Sequence, residues 1–103
     1  MKRVIWTPLA LDSLKEVVDF LETKWSDQIV EKFLRQVDYR IEQIQENPEL
    51  APSIENTPFR LLLIHKTTSL FYRNHPDHIK VLLVWDNRQN PAKLLKKLKA
   101  SND

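Results

Sequence analysis

One stretch decides the fold of this chain: VLLVWDNRQNPAKL, residues 81–94. It opens with an uninterrupted apolar run, which is typical of a strand covered on both faces. The next residues are polar, and Pro91 suits the first position of a helix because its missing N–H needs no partner there. The stretch therefore predicts a central last strand, a turn at the edge of a sheet and a C-terminal extension.

Residues before this stretch predict one strand, two helices and two further strands. Residues 2–6 form the first strand, and Thr7 and Pro8 can begin a helix. Two apolar stripes recur at three- and four-residue spacing, as on one face of a helix. The first stripe comprises Leu11, Leu14, Val18, Leu21 and Trp25, and the second comprises Val30, Phe33, Leu34, Val37, Ile41 and Ile44. Further strands are predicted at residues 59–65 and 69–73, before the last one at 79–85.

This order predicts one α+β domain over residues 1–103. It consists of an N-terminal strand and an antiparallel two-helix hairpin packed on an antiparallel sheet (β-α-α-β-β-β), followed by a short basic C-terminal tail. Lysines and leucines in that tail are spaced as in a short amphipathic helix. In the last strand, Leu83 and Trp85 should continue the face of Ile79 and Val81, with Leu82 and Val84 on the other face.

Composition excludes several classes of function. The chain has no glycine, which argues against a P-loop, a dinucleotide-binding fingerprint and a nucleophile elbow. It has no cysteine, which removes thiol catalysis and Cys-ligated zinc, and its three histidines lack metal-binding spacing. We therefore expect no metal and no cofactor. No signal peptide and no membrane-spanning run is visible, so a cytoplasmic protein without membrane contact is expected.

Several segments in order resemble a known family. They are residues 4–10 (VIWTPLA), residues 46–48 (ENP), Arg60, residues 70–73 (LFYR) and the DNRQNP turn at residues 86–91. Together they are similar to the RelE/ParE toxins of type II toxin–antitoxin systems, over residues 4 to about 94. The resemblance implies a growth-inhibitory toxin of the kind used in plasmid stabilisation, neutralised by a cognate antitoxin. Operator DNA would be contacted only through that antitoxin.

The family's mechanisms leave the target and the catalytic status open. ParE-like members bind DNA gyrase, whereas RelE-like members are ribosome-dependent endoribonucleases that cut mRNA without a metal. If this chain were a ribonuclease, its site would draw on Arg60, Arg73, Arg88 and His65. Ribonuclease members carry cations at alternate positions where this sequence has Leu62 and Ile64, and its tail has neither His nor Tyr. We therefore favour gyrase inhibition, with the ribonuclease and a degenerate toxin acting only in antitoxin binding or autoregulation as alternatives.

Other residues are candidates for binding or for structural roles. A basic patch for the target or the antitoxin would comprise Arg60, Lys66, Arg73, Lys80 and Arg88, although such cations also discourage strand-edge pairing. In the turn, Asp86, Arg88, Gln89 and Pro91 can either hold the last strand in place or contact a partner. Tyr72 is expected to be buried with its hydroxyl hydrogen-bonded. The strands at residues 59–65 and 79–85 are apolar on both faces, but only two helices are available to cover them, which predicts an exposed groove for an added helix or strand.

Overall fold

A computed structural model describes residues 1–100 and confirms the predicted α+β class and order of elements. Within these residues the elements are β1 (Arg3–Trp6), α1 (Pro8–Lys24), α2 (Asp27–Glu46), β2 (Phe59–His65), β3 (Thr68–Asn74), β4 (His78–Asp86) and α3 (Pro91–Ala100). The four strands over the same residues form one sheet in the order β1-β4-β3-β2. Residues 101–103, the end of the predicted tail, lie outside the described part.

The sheet is mixed, so the expectation of a wholly antiparallel sheet was wrong at one edge. β1 pairs with β4 in parallel, while β2–β3 and β3–β4 are antiparallel. The path of the hairpin explains this. α2 ends beside the start of β1, where the Gln45 side chain donates to the Lys2 carbonyl at 2.9 Å. β2 therefore begins at the same end as β1, and two antiparallel reversals later β4 runs in the direction of β1.

The sheet separates two apolar clusters. On the side that faces α1 and α2, called here the hairpin side, the strands contribute Leu62, Ile64, Leu70, Tyr72, Ile79, Val81 and Val84. On the opposite side, called here the α3 side, Phe71, Leu82, Leu83 and Trp85 pack with Leu94 and Leu98 of α3. The C-terminal segment is thus the amphipathic helix that its lysine and leucine spacing predicts.

A β-bulge makes the predicted faces of β4 wrong beyond Leu82, which itself lies opposite Ile79 and Val81 as predicted. Tyr72 pairs with Val81 and Phe71 pairs with Leu83, so Leu82 is an extra residue in the register. An extra residue reverses the alternation of side chains beyond it. Leu83 and Trp85 therefore face α3 instead of joining Ile79 and Val81, and Val84 faces the hairpin.

The inward face of α1 also differs from the predicted stripe. Ala10 and Ser13 are buried, whereas Leu11 is 53% exposed and Trp25 is 61% exposed. Leu34 of the α2 stripe is likewise exposed. The shift follows from α1 packing beside β4, where the Ser13 hydroxyl accepts from the Val84 N–H at 2.9 Å and donates to the Ala10 carbonyl at 2.9 Å.

No helix within residues 1–100 is long and apolar enough to cross a membrane.

Candidate functional site

An open groove of about 760 Å³ lies between the closed end of the helical hairpin and one end of the sheet. Val17, Phe20 and Leu21 of α1 and Ile29 and Phe33 of α2 form its apolar wall. Val84 and Trp85 of β4 contribute on the sheet side. This groove lies where the hairpin extends past the sheet. A smaller apolar groove of about 290 Å³ lies on the α3 side, beside Phe59, Leu61 and Phe71 of the strands.

Large apolar side chains are exposed along this groove. Phe20 is 45% exposed, Ile29 is 40% exposed and Trp25 is 61% exposed. Contiguous exposure of this kind is unusual on a protein surface unless the surface binds something. The groove is the strongest candidate for a protein-binding site among the described residues.

Basic residues surround this apolar wall. Lys24, Lys32, Arg88 and Lys97 line the groove, against the two carboxylates of Glu16 and Asp86. Arg88 already neutralises Asp86, since its Nε donates to Oδ1 at 3.0 Å and its terminal nitrogen donates to Oδ2 at 2.8 Å. The groove therefore carries a net positive charge.

The turn after β4 is organised by its own side chains. The Asp86 carboxylate also accepts from the Arg88 backbone N–H at 2.9 Å. Hydrogen bonding by the Arg88 side chain holds the pKa of Asp86 below its usual value of 3.8. The Arg88 guanidinium lies 5.8 Å from the ring centroid of Phe20, which links the turn to α1. Asn90 accepts from the Ala92 N–H at 2.9 Å, so that Pro91 begins α3.

Asp86, Arg88 and Gln89 all line the groove. The hydrogen bonds between Asp86 and Arg88 also hold the turn together. The two interpretations given for the motif, support of the last strand and contact with a partner, are compatible. The contact role stays a prediction.

Arg60 stabilises the loop between α2 and β2. Its guanidinium donates to the Ala51 carbonyl at 2.7 Å and lies 3.5 Å from the Glu49 carbonyl. Because Arg60 pairs with Tyr72 across the ladder, it lies on the hairpin side of the sheet.

Arg73 and Lys80 pair with each other across β3 and β4. Since their neighbours Tyr72 and Val81 face the hairpin, both residues lie on the α3 side. Arg60 and Arg73 therefore occupy opposite sides of the sheet. Lys66 is exposed in the turn between β2 and β3 and does not line the groove.

His65 is exposed at the end of β2, and its Nδ1 lies 3.5 Å from the Thr67 hydroxyl. It shares the groove with Arg88. Arg73 pairs with Lys80, six residues before Asp86 on β4, which corresponds to about 20 Å along a strand. Of the four residues proposed for a ribonuclease site, only His65 and Arg88 are brought together in the described structure.

Tyr72 is buried as predicted. It is fully inaccessible, and its hydroxyl donates to the Pro48 carbonyl at 2.8 Å. Burial raises the pKa of this phenol above the usual value of 10.0.

Residues 1–100 contain no group of three or more His, Asp or Glu side chains that could hold a metal ion.

Sequence reasoning missed most of the groove. Phe20 and Ile29 fall outside the two predicted stripes, and Trp25 was placed inside one. A large apolar residue on the polar face of a predicted helix was the available signal. Lys24 and Lys32 carried no signal, because isolated lysines are common on helix surfaces.

The fold and the groove define a class: a small α+β domain with a helical hairpin on one side of a sheet, a short helix on the other and a basic apolar groove open at one end. The family model of the ParE toxin of type II toxin–antitoxin systems (parDE) matches residues 4–91. The chain therefore belongs to the ParE toxin family.

Solved structures agree with this fold. A chain of the chromosomal ParDE toxin–antitoxin system from P. aeruginosa superposes with a TM-score of 0.71 at 17% identity, covering 84% of this chain and 96% of that chain. A chain of the YoeB dimer from Staphylococcus aureus superposes with a TM-score of 0.56 at 17% identity, covering 78% of this chain and 90% of that one. Comparison with curated protein sequences gave no match.

Proposed function

We propose that this ParE-family toxin inhibits growth by binding its target, DNA gyrase, and not by cutting RNA. One observation carries the choice: the cations that a ribonuclease site would need are dispersed over the sheet. Arg60 holds loop carbonyls on the hairpin side, Arg73 lies on the α3 side, and Arg88 belongs to the far end of the sheet.

Metal-free cleavage of RNA requires a base, an acid and cations around one phosphate. Groups on opposite faces of a sheet cannot converge on one phosphate. Tyr72, which otherwise offers a phenol, is inaccessible within the core. A binding mechanism needs no such convergence and is consistent with this arrangement.

Two assays on the purified chain test the proposal. With gyrase and plasmid DNA, the toxin should cause cleaved gyrase–DNA complexes to accumulate. With translating ribosomes, the message should stay intact. In-frame cuts in the translated message would overturn the proposal. In cells, harmless overexpression of the folded protein would instead favour the degenerate toxin.

The ribonuclease alternative rests on His65 and Arg88, which share the groove. His65→Gln separates the two mechanisms. Loss of a general base or acid typically reduces a rate by about 100- to 10,000-fold, so a ribonuclease would lose nearly all toxicity. Inhibition by binding predicts that killing by the H65Q variant stays close to that of the wild type.

The proposed partner in the groove is an amphipathic segment of the cognate antitoxin. The apolar wall around Phe20 and Ile29 would receive its apolar face, and the lysines at the rim would pair with its carboxylates. Large apolar groups at the centre of an interface usually contribute most of the binding energy.

Phe20→Glu tests this site, with Tyr39→Glu as the matched control. Both residues are exposed aromatics of the hairpin, but Tyr39 does not line the groove. The cognate antitoxin should bind F20E at least 100-fold more weakly than the wild type, and Y39E normally. Equal binding of F20E and the wild type would show that the antitoxin docks elsewhere.

A further inference from the structure

The small net charge of +2 conceals a separation of charge across the molecule. The helical hairpin, Pro8 to Glu46, carries nine acidic and five basic residues, whereas the remainder carries five acidic and eleven basic residues. The acidic hairpin covers one side of the sheet, and most of the basic residues of the remainder lie on the other side. The α3 side is the positive one.

The basic residues of the α3 side come from a helix and from two strands. α3 contributes Lys93, Lys96, Lys97 and Lys99 and has no acidic residue. Arg73 and Lys80 lie on the same side of β3 and β4. Arg3 of β1 is also on this side, where it forms an ion pair with Asp77 at 3.9 Å. Clustered cations of this kind concentrate an anionic partner.

The spacing of the α3 lysines suits a polyphosphate. Lys93, Lys96 and Lys99 are exposed and recur every third residue, which places them along about 9 Å of the helix. One DNA strand presents roughly two to three phosphates over that length.

Exposed aromatic residues indicate whether a basic surface suits single-stranded or double-stranded nucleic acid. Proteins that hold single-stranded nucleic acid stack its bases on accessible aromatic side chains. On the α3 side, Phe71 and Trp85 are buried beneath α3 and Phe59 is half-buried. The exposed aromatic residues of the described chain, Phe20, Trp25 and Tyr39, all lie on the hairpin.

We propose that the α3 side binds the phosphate backbone of double-stranded DNA without reading its sequence. The lysines of α3 contact the backbone, and Arg73 and Lys80 extend the positive surface across the sheet. This differs from the expectation that DNA is contacted only through the antitoxin. Lys97 also lines the groove, so the proposal rests on Lys93, Lys96 and Lys99, which do not line it. It does not depend on the target proposed above.

Fluorescence anisotropy of the purified chain with a 20-base-pair duplex of arbitrary sequence tests the proposal. With about four phosphate contacts, affinity should fall about 100-fold between 50 and 200 mM salt. The triple variant Lys93→Gln, Lys96→Gln, Lys99→Gln should lower the slope of log K against log salt by about three. Glutamine preserves helix propensity, so this variant should fold.

The matched control removes three cations of the hairpin that do not line the groove, by Lys15→Gln, Arg35→Gln and Arg40→Gln. It changes the net charge by the same amount and should keep the wild-type slope. No binding of the wild type at 50 mM salt, or equal losses in the two triple variants, would overturn the proposal.

Two other probes separate the remaining sources of negative charge. Tighter binding of single-stranded RNA than of the duplex would assign the surface to RNA. Tighter binding of polyglutamate would assign it to an acidic protein. Either result overturns duplex binding and leaves the gyrase assay unaffected.

Discussion

Single hydrogen bonds from side chains to the backbone connect segments of this chain that are distant in sequence. The Tyr72 hydroxyl donates to the Pro48 carbonyl, which ties the sheet to the loop after α2. Arg60 donates to the Ala51 carbonyl of the same loop. A carbonyl that loses its buried donor keeps its desolvation cost, and therefore such contacts matter individually.

Tyr72→Phe should lower the free energy of unfolding by about 1 kcal/mol at pH 7, because the Pro48 carbonyl loses its donor. Urea denaturation measures this change.

The same substitution should also alter the response to alkali. The pKa of Tyr72 is raised by burial in the folded state, so the neutral phenol contributes stability below its ordinary value of 10.0. This contribution is lost as the pH rises through the folded-state pKa. The difference in stability between wild type and Y72F should therefore narrow above about pH 10, and a constant difference would contradict the assignment.

Among the secondary-structure elements, β4 depends most on neighbours outside the sheet. β1 pairs with β4 only as far as Val81, so the later backbone groups on that edge have no strand beside them. α1 supplies the missing partner, since Ser13 accepts from the Val84 N–H at 2.9 Å. A polar residue inside an apolar helix face thus has a specific structural role.

Ser13→Ala should lower the free energy of unfolding by about 1–3 kcal/mol, because the Val84 N–H is left unpaired in the core. Ser26→Ala is the control: Ser26 precedes α2, and its side chain makes no capping hydrogen bond. Thermal or urea unfolding of the two variants gives the comparison. A similar loss in both would indicate that the Ser13–Val84 hydrogen bond is not the cause.

The packing of α3 on the sheet can be tested with two leucines of that helix. Leu98 is buried against the sheet, whereas Leu95 is 59% exposed. Leu98→Ala should lower the free energy of unfolding by about 2 kcal/mol, while Leu95→Ala should change it by less than about 0.5 kcal/mol. Equal effects would mean that α3 does not pack on Phe71 and Leu83 in solution.

For the molecule as a whole, the groove has no lining residue in common with Lys93, Lys96 and Lys99 of the α3 side, which predicts two independent surfaces. Phe20→Glu should weaken antitoxin binding and leave duplex binding within about twofold, and the triple lysine variant of α3 should do the reverse. Residues far apart and without shared partners usually contribute additively. Titration of each variant with both ligands tests this, and loss of both activities in either variant would show that the surfaces overlap.

Local patterns were enough to predict the elements, the burial of Tyr72 and the family. Apolar periodicity and the Thr7-Pro8 helix start depend on neighbours in sequence. The groove could be expected in general terms, from an excess of apolar strand surface, but Phe20 and Ile29 could not be assigned to it. Their exposure depends on how far the hairpin extends past the sheet, which is a property of packing.

The sequence alone determined the α+β class, the order of strands and helices and the resemblance carried by the turn at residues 86–91, since each of these is encoded within a few neighbouring residues. Tertiary structure decided that β1 runs parallel to β4, that Leu83 and Trp85 face α3, and that Arg60 and Arg73 lie on opposite sides of the sheet. These outcomes depend on strand register and on the extra residue at Leu82. Register is set by pairing between distant segments, and one inserted residue reverses every side chain beyond it.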